Sequence, residues 1–327
     1  MKNQFFIAIF TVTLSLVGNT VWASTLVNNN AASNDVAGVE NNNAAASVYY
    51  INAPRFVRPL IEKWISEYKK VDSRVNFAIA KTAETKGKSA LNILLKESSA
   101  DNDLVQRTIY FAEYAILPVT GKNSDAAKTL TKQELNNKNI KTLFFEKDDF
   151  EEQNKADKKA AAYVVYTGNG SQSVSAEFAS HYGKDVSTFR GKRIVGDDLY
   201  LNTAIVKDPQ GITFNAVPNL YDLSTRKLKS DLVLLPIDVE KNQRVAFAEE
   251  ATVDDLIRVL EANRDGNIPV DRIGFTYQDG DSNITNFIAW ILSEGSTYNH
   301  DFGLLQLDAK FVAQQTKNLS SRLTAQK

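Results

Sequence analysis

Cysteine is absent from the 327 residues. That excludes disulfides, thiol nucleophiles, thiolate metal sites and a lipidated N-terminal cysteine together. Basic excess is missing as well: 38 Lys and Arg stand against 39 Asp and Glu, a formal charge of -1, so nothing in the balance points to nucleic acid. Histidine occurs twice, at His181 and His300, far apart in sequence, and no Gly-x-Ser-x-Gly elbow exists. Little therefore supports a Ser/His/Asp hydrolase or a His-based metal site. Long apolar runs are limited to one, "FFIAIFTVTLSLV" at 5–17, too short for a membrane span. With Lys2 before it and "GNTVWAS" after it, this run has the form of a secretory signal peptide over 1–23, cleaved after Ala23. Losing Lys2 takes the charge from -1 to -2. An exported chain without disulfides fits a bacterial periplasm.

Next comes an Asn- and Ala-rich stretch without aromatic residues, "NNNAASNDVAGVENNNAAAS". It has nothing to bury and reads as a disordered tether, so that 24–47 is a linker. Hydrophobic content of 43% over this length supports a sizeable core, in two lobes rather than one.

From Val48 onward short apolar strands alternate with amphipathic helices. "VYYI" is a strand; "NAPRFV" turns into the helix "RPLIEKWISEYKKV", with Leu60, Ile61, Trp64, Ile65 and Tyr68 on one face. "VNFAIA" is a strand and "KSALNILLKES" a helix. "EYAILPV" is a strand, and "TKQELNNKNIKTLFF" one helix capped by Thr131. "AYVVYT" leads through a Gly-Ser loop into the helix around Phe178; strands follow at "AIV" and "ITFNAV". "DLVLLPI" brings the chain back, before a helix at "ATVDDLIRVLEAN" and a final helix at "SNITNFIAWILSEG". Trp64 and Trp290 fall at core spacing. The alternation implies an α/β fold of parallel-rich sheets with helices on both faces. Ligands on such sheets bind where strand ends enter helices, the position of both "NAPRFV" and "TGNGSQS".

The second of these loops, with Thr167, Gly168, Asn169, Gly170, Ser171, Gln172 and Ser173, opens into a helix whose free N–H groups and positive dipole end suit an anion. The plainer reading is a helix that caps itself. Gly87, Lys88 and Ser89 suggest a phosphate loop, but the glycine that such a loop needs five residues earlier is Thr82. Lys81, Thr82 and Ser89 remain weak pocket candidates. Asp197 and Asp198 read as a charged surface turn or as cleft acceptors for an amine or a protonated ligand oxygen. "ANRDGNIPVDR" and "YQDGDSN" lack the spacing of calcium loops and read as turns, with Asp281 or Ser282 capping the last helix.

The order of "PLIEKWISEY", "YAILPVTGKNSD", "LTKQELNNKNIKTLFF", "VVYTGNGSQSVSAEFASHYG", "VKDPQGITFNAV" and "NFIAWILSEGSTYNHDFGLLQL" resembles the periplasmic phosphate-binding proteins of ABC importers. Those have a two-lobed, type II periplasmic-binding fold. The resemblance implies one lobe from 48–119 with 232–307, a second from 120–231, and a C-terminal tail over 308–327. It also implies a hinged cleft for phosphate or a related oxyanion, delivered to an inner-membrane ABC permease, with no cofactor and no chemistry on the ligand. Candidate ligand residues are Thr167, Asn169, Gly170, Ser171, Gln172 and Ser173 on one lobe and Asn52, Arg55, Phe56 and Thr82 on the other. Where the family loop begins with arginine this chain has Thr167, Gln172 replaces a glycine, and a hydroxyl of the first loop has become Arg55. The lost guanidinium would thus be supplied from the opposite wall, and Arg58 one turn on reads as surface. Thr108 falls where phosphate binders carry an aspartate, which leaves the ligand open. The alternative is a ligand-free scaffold or sensor that binds an envelope protein.

Overall fold

Parallel pairing on both edges makes Val48–Asn52 a strand, β1, with Ile51 in the core. One 3-10 turn at Arg55–Val57 then leads into α1 (Arg58–Val71), which has a proline in its first turn and Lys69 and Lys70 in its last. Both placements suit helix ends: the first turn does not use the N–H that proline lacks, and cations favour the carboxyl end. Leu60, Ile61, Trp64 and Tyr68 form its buried face, each worth about 1.5–3 kcal/mol for leaving water. The Trp64 indole N–H donates to the Gly295 carbonyl at 2.7 Å, and Trp290 is buried too. The computed structural model describes residues 47–96, 106–147, 155–170, 172–262 and 266–325. The expected signal peptide, the tether up to residue 46 and Ser171 lie outside the described residues.

Strand β2 (Asn76–Ile79), helix α2 (Ala83–Gly87) and strand β3 (Ser89–Leu94) follow. The strand corrects the helix expected over "KSALNILLKES". A contiguous apolar run of this length suits either state, and pairing decides it: β3 is hydrogen-bonded to β1 on one edge and to a strand from residues 270–278 on the other. Next come β4 (Gln106–Gly121), α3 (Asp125–Leu130) and α4 (Asn137–Phe144). The single helix expected over "TKQELNNKNIKTLFF" is therefore split. Thr131 ends α3, its hydroxyl donating back to the Ala127 carbonyl at 2.7 Å, and Asn136 caps α4 by accepting from the Asn139 N–H.

The chain continues through α5 (Lys155–Ala160), β5 (Val164–Gly168), α6 (Ser175–His181), β6 (Lys192–Ile194) and α7 (Leu199–Lys207). Helix α7 corrects the strand expected at "AIV": Leu201 and Ile205 lie four apart on its buried face, and the Asp197 carboxylate receives the Leu199 N–H at its start. Strand β7 (Gly211–Ala216), helix α8 (Val217–Leu220), the hairpin of β8 (Tyr221–Asp222) and β9 (Lys227–Leu228), and β10 (Leu232–Leu234) come next. After α9 (Val253–Ala262), β11 (Val270–Gln278) joins two segments read as turns, and α10 (Ser282–Ser293) is capped by Asp281. The last helix is not α10 but α11 (Ala309–Ala325).

The main sheet runs β2-β1-β3-β11-β4-β7-β5-β6. Its flanks are parallel, β1 with β2 and β3, and β5 with β6 and β7. Its middle is antiparallel and hangs on β4, which is buried throughout 109–121. The first part of β4, through Ala115, pairs with β11, and from Ile116 onward it pairs with β7. On the edge that β11 leaves, β10 takes over at Val119. Pro118 has no N–H to give and falls between those two ladders, with its carbonyl accepting from Leu235 at 2.9 Å.

One irregularity in β4 explains the place of α11. The register slips between Ile273 and Gly274 opposite Ala112 and Tyr110, and a Cβ on Gly274 would lie 2.2 Å from the Ile109 carbonyl, so no other residue fits there. Gln315 of α11 closes the edge of this bulge: its side-chain carbonyl accepts the Tyr110 N–H at 2.8 Å and its amide donates to the Tyr110 carbonyl at 2.9 Å. Phe311 lies under the Arg272 guanidinium at 4.0 Å. Gln315→Ala should lower unfolding stability by about 1–3 kcal/mol, since it strands a backbone donor and acceptor. Urea titration reads this directly, and an unchanged midpoint would mean that water serves Tyr110 equally well.

Candidate functional site

The carboxyl ends of β1 and β5 point at one another, so the loops that leave them meet. The first loop carries Asn52, Pro54, Arg55 and Phe56 into α1; the second, described at residues 168–170 and 172–173, leads into α6. The Gln172 side-chain amide donates to Asn52 Oδ1 at 3.4 Å, and Asn52 donates to Asn92 Oδ1 at 3.2 Å. Beside this contact lies a cavity of about 410 Å³. Pro54, Arg55, Phe56, Arg58 and Lys86 form one wall; Gly170, Gln172, Gly196, Asp197, Asp198, Tyr200 and Asn219 form the other.

Of the residues expected from sequence, Arg55, Phe56, Gly170 and Gln172 line this cavity, as do Asp197 and Asp198, read there as either a surface turn or cleft acceptors, and Asn52 touches it through Gln172. Asn169 is exposed beside Gly170 but does not line the cavity, and Ser171 lies outside the described residues. Thr167 is 1% exposed and belongs to the interior of β5. Thr82 is exposed and caps α2 in a reciprocal box with Thr85. Sequence reasoning missed Lys86 on that same helix, Tyr200 and Asn219, and read Arg58 as surface. The spacing Arg55 to Arg58 was the available signal, because three residues on in a tight turn return to one face. Arg58 Nε donates to the Ala53 carbonyl at 3.0 Å, which holds the side chain against the loop. Among the described residues, Arg55, Arg58 and Lys86 form no ion pair.

The start of α6 is served from within. Val174 N–H donates to Asp198 Oδ2 at 2.9 Å, Ser175 N–H donates to Ser173 Oγ at 3.2 Å, and Gly168 N–H donates to Ser175 Oγ at 3.1 Å. Ser173 gives its own proton to Ser175 Oγ at 2.9 Å. A carboxylate of the protein thus stands where an anion would meet the helix dipole. Gly168 makes room for it: a Cβ there would come within 2.3 Å of both Asp198 Oδ1 and Ser173 Oγ. The Asp198 turn is fixed from behind, because Asn215 donates to its backbone carbonyl at 2.8 Å and to Asn202 Oδ1 at 3.1 Å, while Asn202 donates to the Asn219 carbonyl at 2.9 Å.

No family model matches the chain, and no curated protein matches it. Solved structures do match. A protein from Clostridium perfringens described as a phosphate ABC transporter substrate-binding protein, with phosphate bound, superposes with a TM-score of 0.55 at 14% identity, covering 80% of this chain and 100% of its own. An ABC-type phosphate transport receptor from Vibrio cholerae gives 0.53 at 14% identity, again over 80% and 100%. The fold is the type II periplasmic-binding fold. In this two-lobed fold the cavity described above lies at the strand ends where the halves of the sheet face each other.

Two carboxylates in this region carry raised pKa values. Burial pushes Asp198 up to about 6, against the Val174 N–H and the neighbouring Ser173 hydroxyl, with Asp197 adding to the rise. Burial likewise pushes Glu177 on α6 up to about 7; its own backbone N–H and Lys96 hold it down, while Asp271 and Asp198 raise it. Because the folded state then holds more protons than the unfolded chain between about pH 4 and 7, these groups make stability fall as pH rises through that window. The loss is about 3 kcal/mol for each shift of roughly two units. His181 works the other way below its usual range, since burial lowers its pKa. Asp198→Asn keeps an acceptor for Val174 and removes one of these titrations. Its urea midpoint should exceed the wild type's at pH 8 and match it near pH 4; equal midpoints at both pH values would show that Asp198 titrates normally.

Proposed function

We propose that this chain is an exported solute-binding protein that takes a small anion, phosphate or a related oxyanion, into the cavity between its lobes and hands it to an ABC permease. It performs no chemistry on that ligand. In this reading residues 1–23 direct export, 24–47 are a tether, and the protein works in the periplasm. One lobe comprises 48–119 and 232–307 and the other 120–231. The observation that carries the reading is the basic wall of Arg55, Arg58 and Lys86, without ion pairs among the described residues, which lines one cavity at the strand ends together with Gly170 and Gln172. Cations without carboxylate partners at the position where α/β sheets bind ligands supply what an anion needs. Arg55 takes over the guanidinium role that Thr167, inside β5, does not fill, and Gly170 and Gln172 form the facing loop. The fold shared with proteins described as phosphate-binding adds support.

A second reading, a scaffold or sensor that binds an envelope protein, is favoured by one observation: Asp198 and Ser173 already occupy the start of α6. Isothermal calorimetry against phosphate, sulfate and other small oxyanions separates the two. The transport reading expects micromolar or tighter binding, about -8 kcal/mol, and at least a tenfold loss for Arg55→Ala. Heat silence across the anions from folded protein would leave the scaffold.

A further inference from the structure

This inference rests on the solute-binding reading and concerns the ligand's class. The two walls of the cavity carry opposite charge, yet they do not pair with each other. Arg55, Arg58 and Lys86 stand on one side and Asp197 on the other, and among the described residues none of the four forms an ion pair. Asp197 lines the cavity and spends one carboxylate oxygen on the Leu199 N–H at 2.9 Å, and among the described residues its second oxygen accepts no hydrogen bond. Asp198 cannot play that part, since its Oδ2 is held by Val174 and its Oδ1 is shut in beside Gly168. Close to Asp197 in the chain, the Tyr200 ring packs against Gly196, is 52% exposed and lines the same cavity. A carboxylate next to an open aromatic face is the pairing that recognises an ammonium group.

Size points the same way. A lone tetrahedral oxyanion has five heavy atoms and occupies on the order of 100 Å³, a few times the ~30 Å³ share of a water molecule. The cavity holds about 410 Å³, within the range of sites for larger organic ligands.

We infer that the cavity takes an organic phosphate that bears an ammonium group, its phosphate on the Arg55–Arg58 wall and its ammonium between Asp197 and Tyr200. The ligand then bridges charges that the protein leaves apart, which neither inorganic phosphate nor a phosphate ester without an ammonium group can do.

The test is calorimetry of the purified protein at pH 7.5 with phosphoethanolamine, ethyl phosphate and inorganic phosphate. The expected result is phosphoethanolamine at least tenfold tighter than ethyl phosphate, with the preference falling to about twofold in Asp197→Asn because phosphoethanolamine weakens while ethyl phosphate, relieved of a like charge, binds no more weakly than before. Tyr200→Ala gives an independent check: it should weaken phosphoethanolamine alone. Equal affinity for phosphoethanolamine and ethyl phosphate in the wild type, or binding of inorganic phosphate only, would overturn the ammonium site and leave the solute-binding reading standing. No binding of any of the three would overturn the ammonium site, and silence toward sulfate and the other small oxyanions as well would remove the solute-binding reading.

Discussion

The backbone of β4 must find hydrogen-bond partners on both edges for its whole buried length, and the rest of the structure is arranged to supply them. Unpaired buried N–H or C=O groups cost about 1–3 kcal/mol each, so a strand buried from 109 to 121 cannot leave them open. β11 serves one edge as far as Ala115, the Pro269 carbonyl receives the Ile116 N–H, and β10 resumes at Val119. On the other edge Leu305 exchanges two bonds with Glu113 before β7 begins at Ile116. Segments from residues 211–216, 232–234, 270–278 and 305 are thereby tied to one strand. The two halves of the sheet share a continuous spine, and the proline sits at the one place where a donor is not needed.

That spine also fixes where the cavity lies. Since β4 belongs to both halves, the parallel strands flanking it, β1 on one side and β5 on the other, end on facing sides of the same gap. The loop after β1 is stiffened by the Arg58 bond to Ala53. The wall opposite is held by the buried amides of Asn202, Asn215 and Asn219, all 7% exposed or less. An interlinked polar cluster of this kind specifies one arrangement, because any other would strand a buried amide.

Much of this was legible in sequence where local signals agreed. The helix after "NAPRFV" begins and ends where its Pro and its apolar spacing indicate, and the strand, Gly loop and helix around Phe178 follow their pattern. The failures have a common cause. "KSALNILLKES" and "AIV" are short apolar runs without decisive period, and each took the state that its neighbours impose: β3 by pairing with β1 and β11, α7 by the Asp197 cap and its packing on β7. β11 was hidden between two polar turns. In the site, Arg55, Phe56, Gly170 and Gln172 could be placed because they occupy strand-end loops. Lys86 could not, since only the packing of α2 brings its side chain to the cavity. Nor could the role of Asp198, because a contact 24 residues away in sequence between a carboxylate and the Val174 N–H leaves no local trace.

The internal carboxylate at α6 changes how an anion can be held here. Backbone N–H groups at a helix start are rigid donors that lose almost no entropy on binding, and in this chain two of them already serve Asp198 and Ser173. The remaining donors are long side chains, Arg55 and Lys86 exposed and Arg58 half-buried. Ordering such a side chain costs up to about 2 kcal/mol, and a solvated ion pair returns only about 0–1 kcal/mol. One arginine is therefore not enough. Affinity has to come from several of these groups acting on one ligand in a space that closes away from water, where each interaction strengthens. On the solute-binding reading, that would require the wall carrying the cations to settle against the Gln172 loop once a ligand is bound.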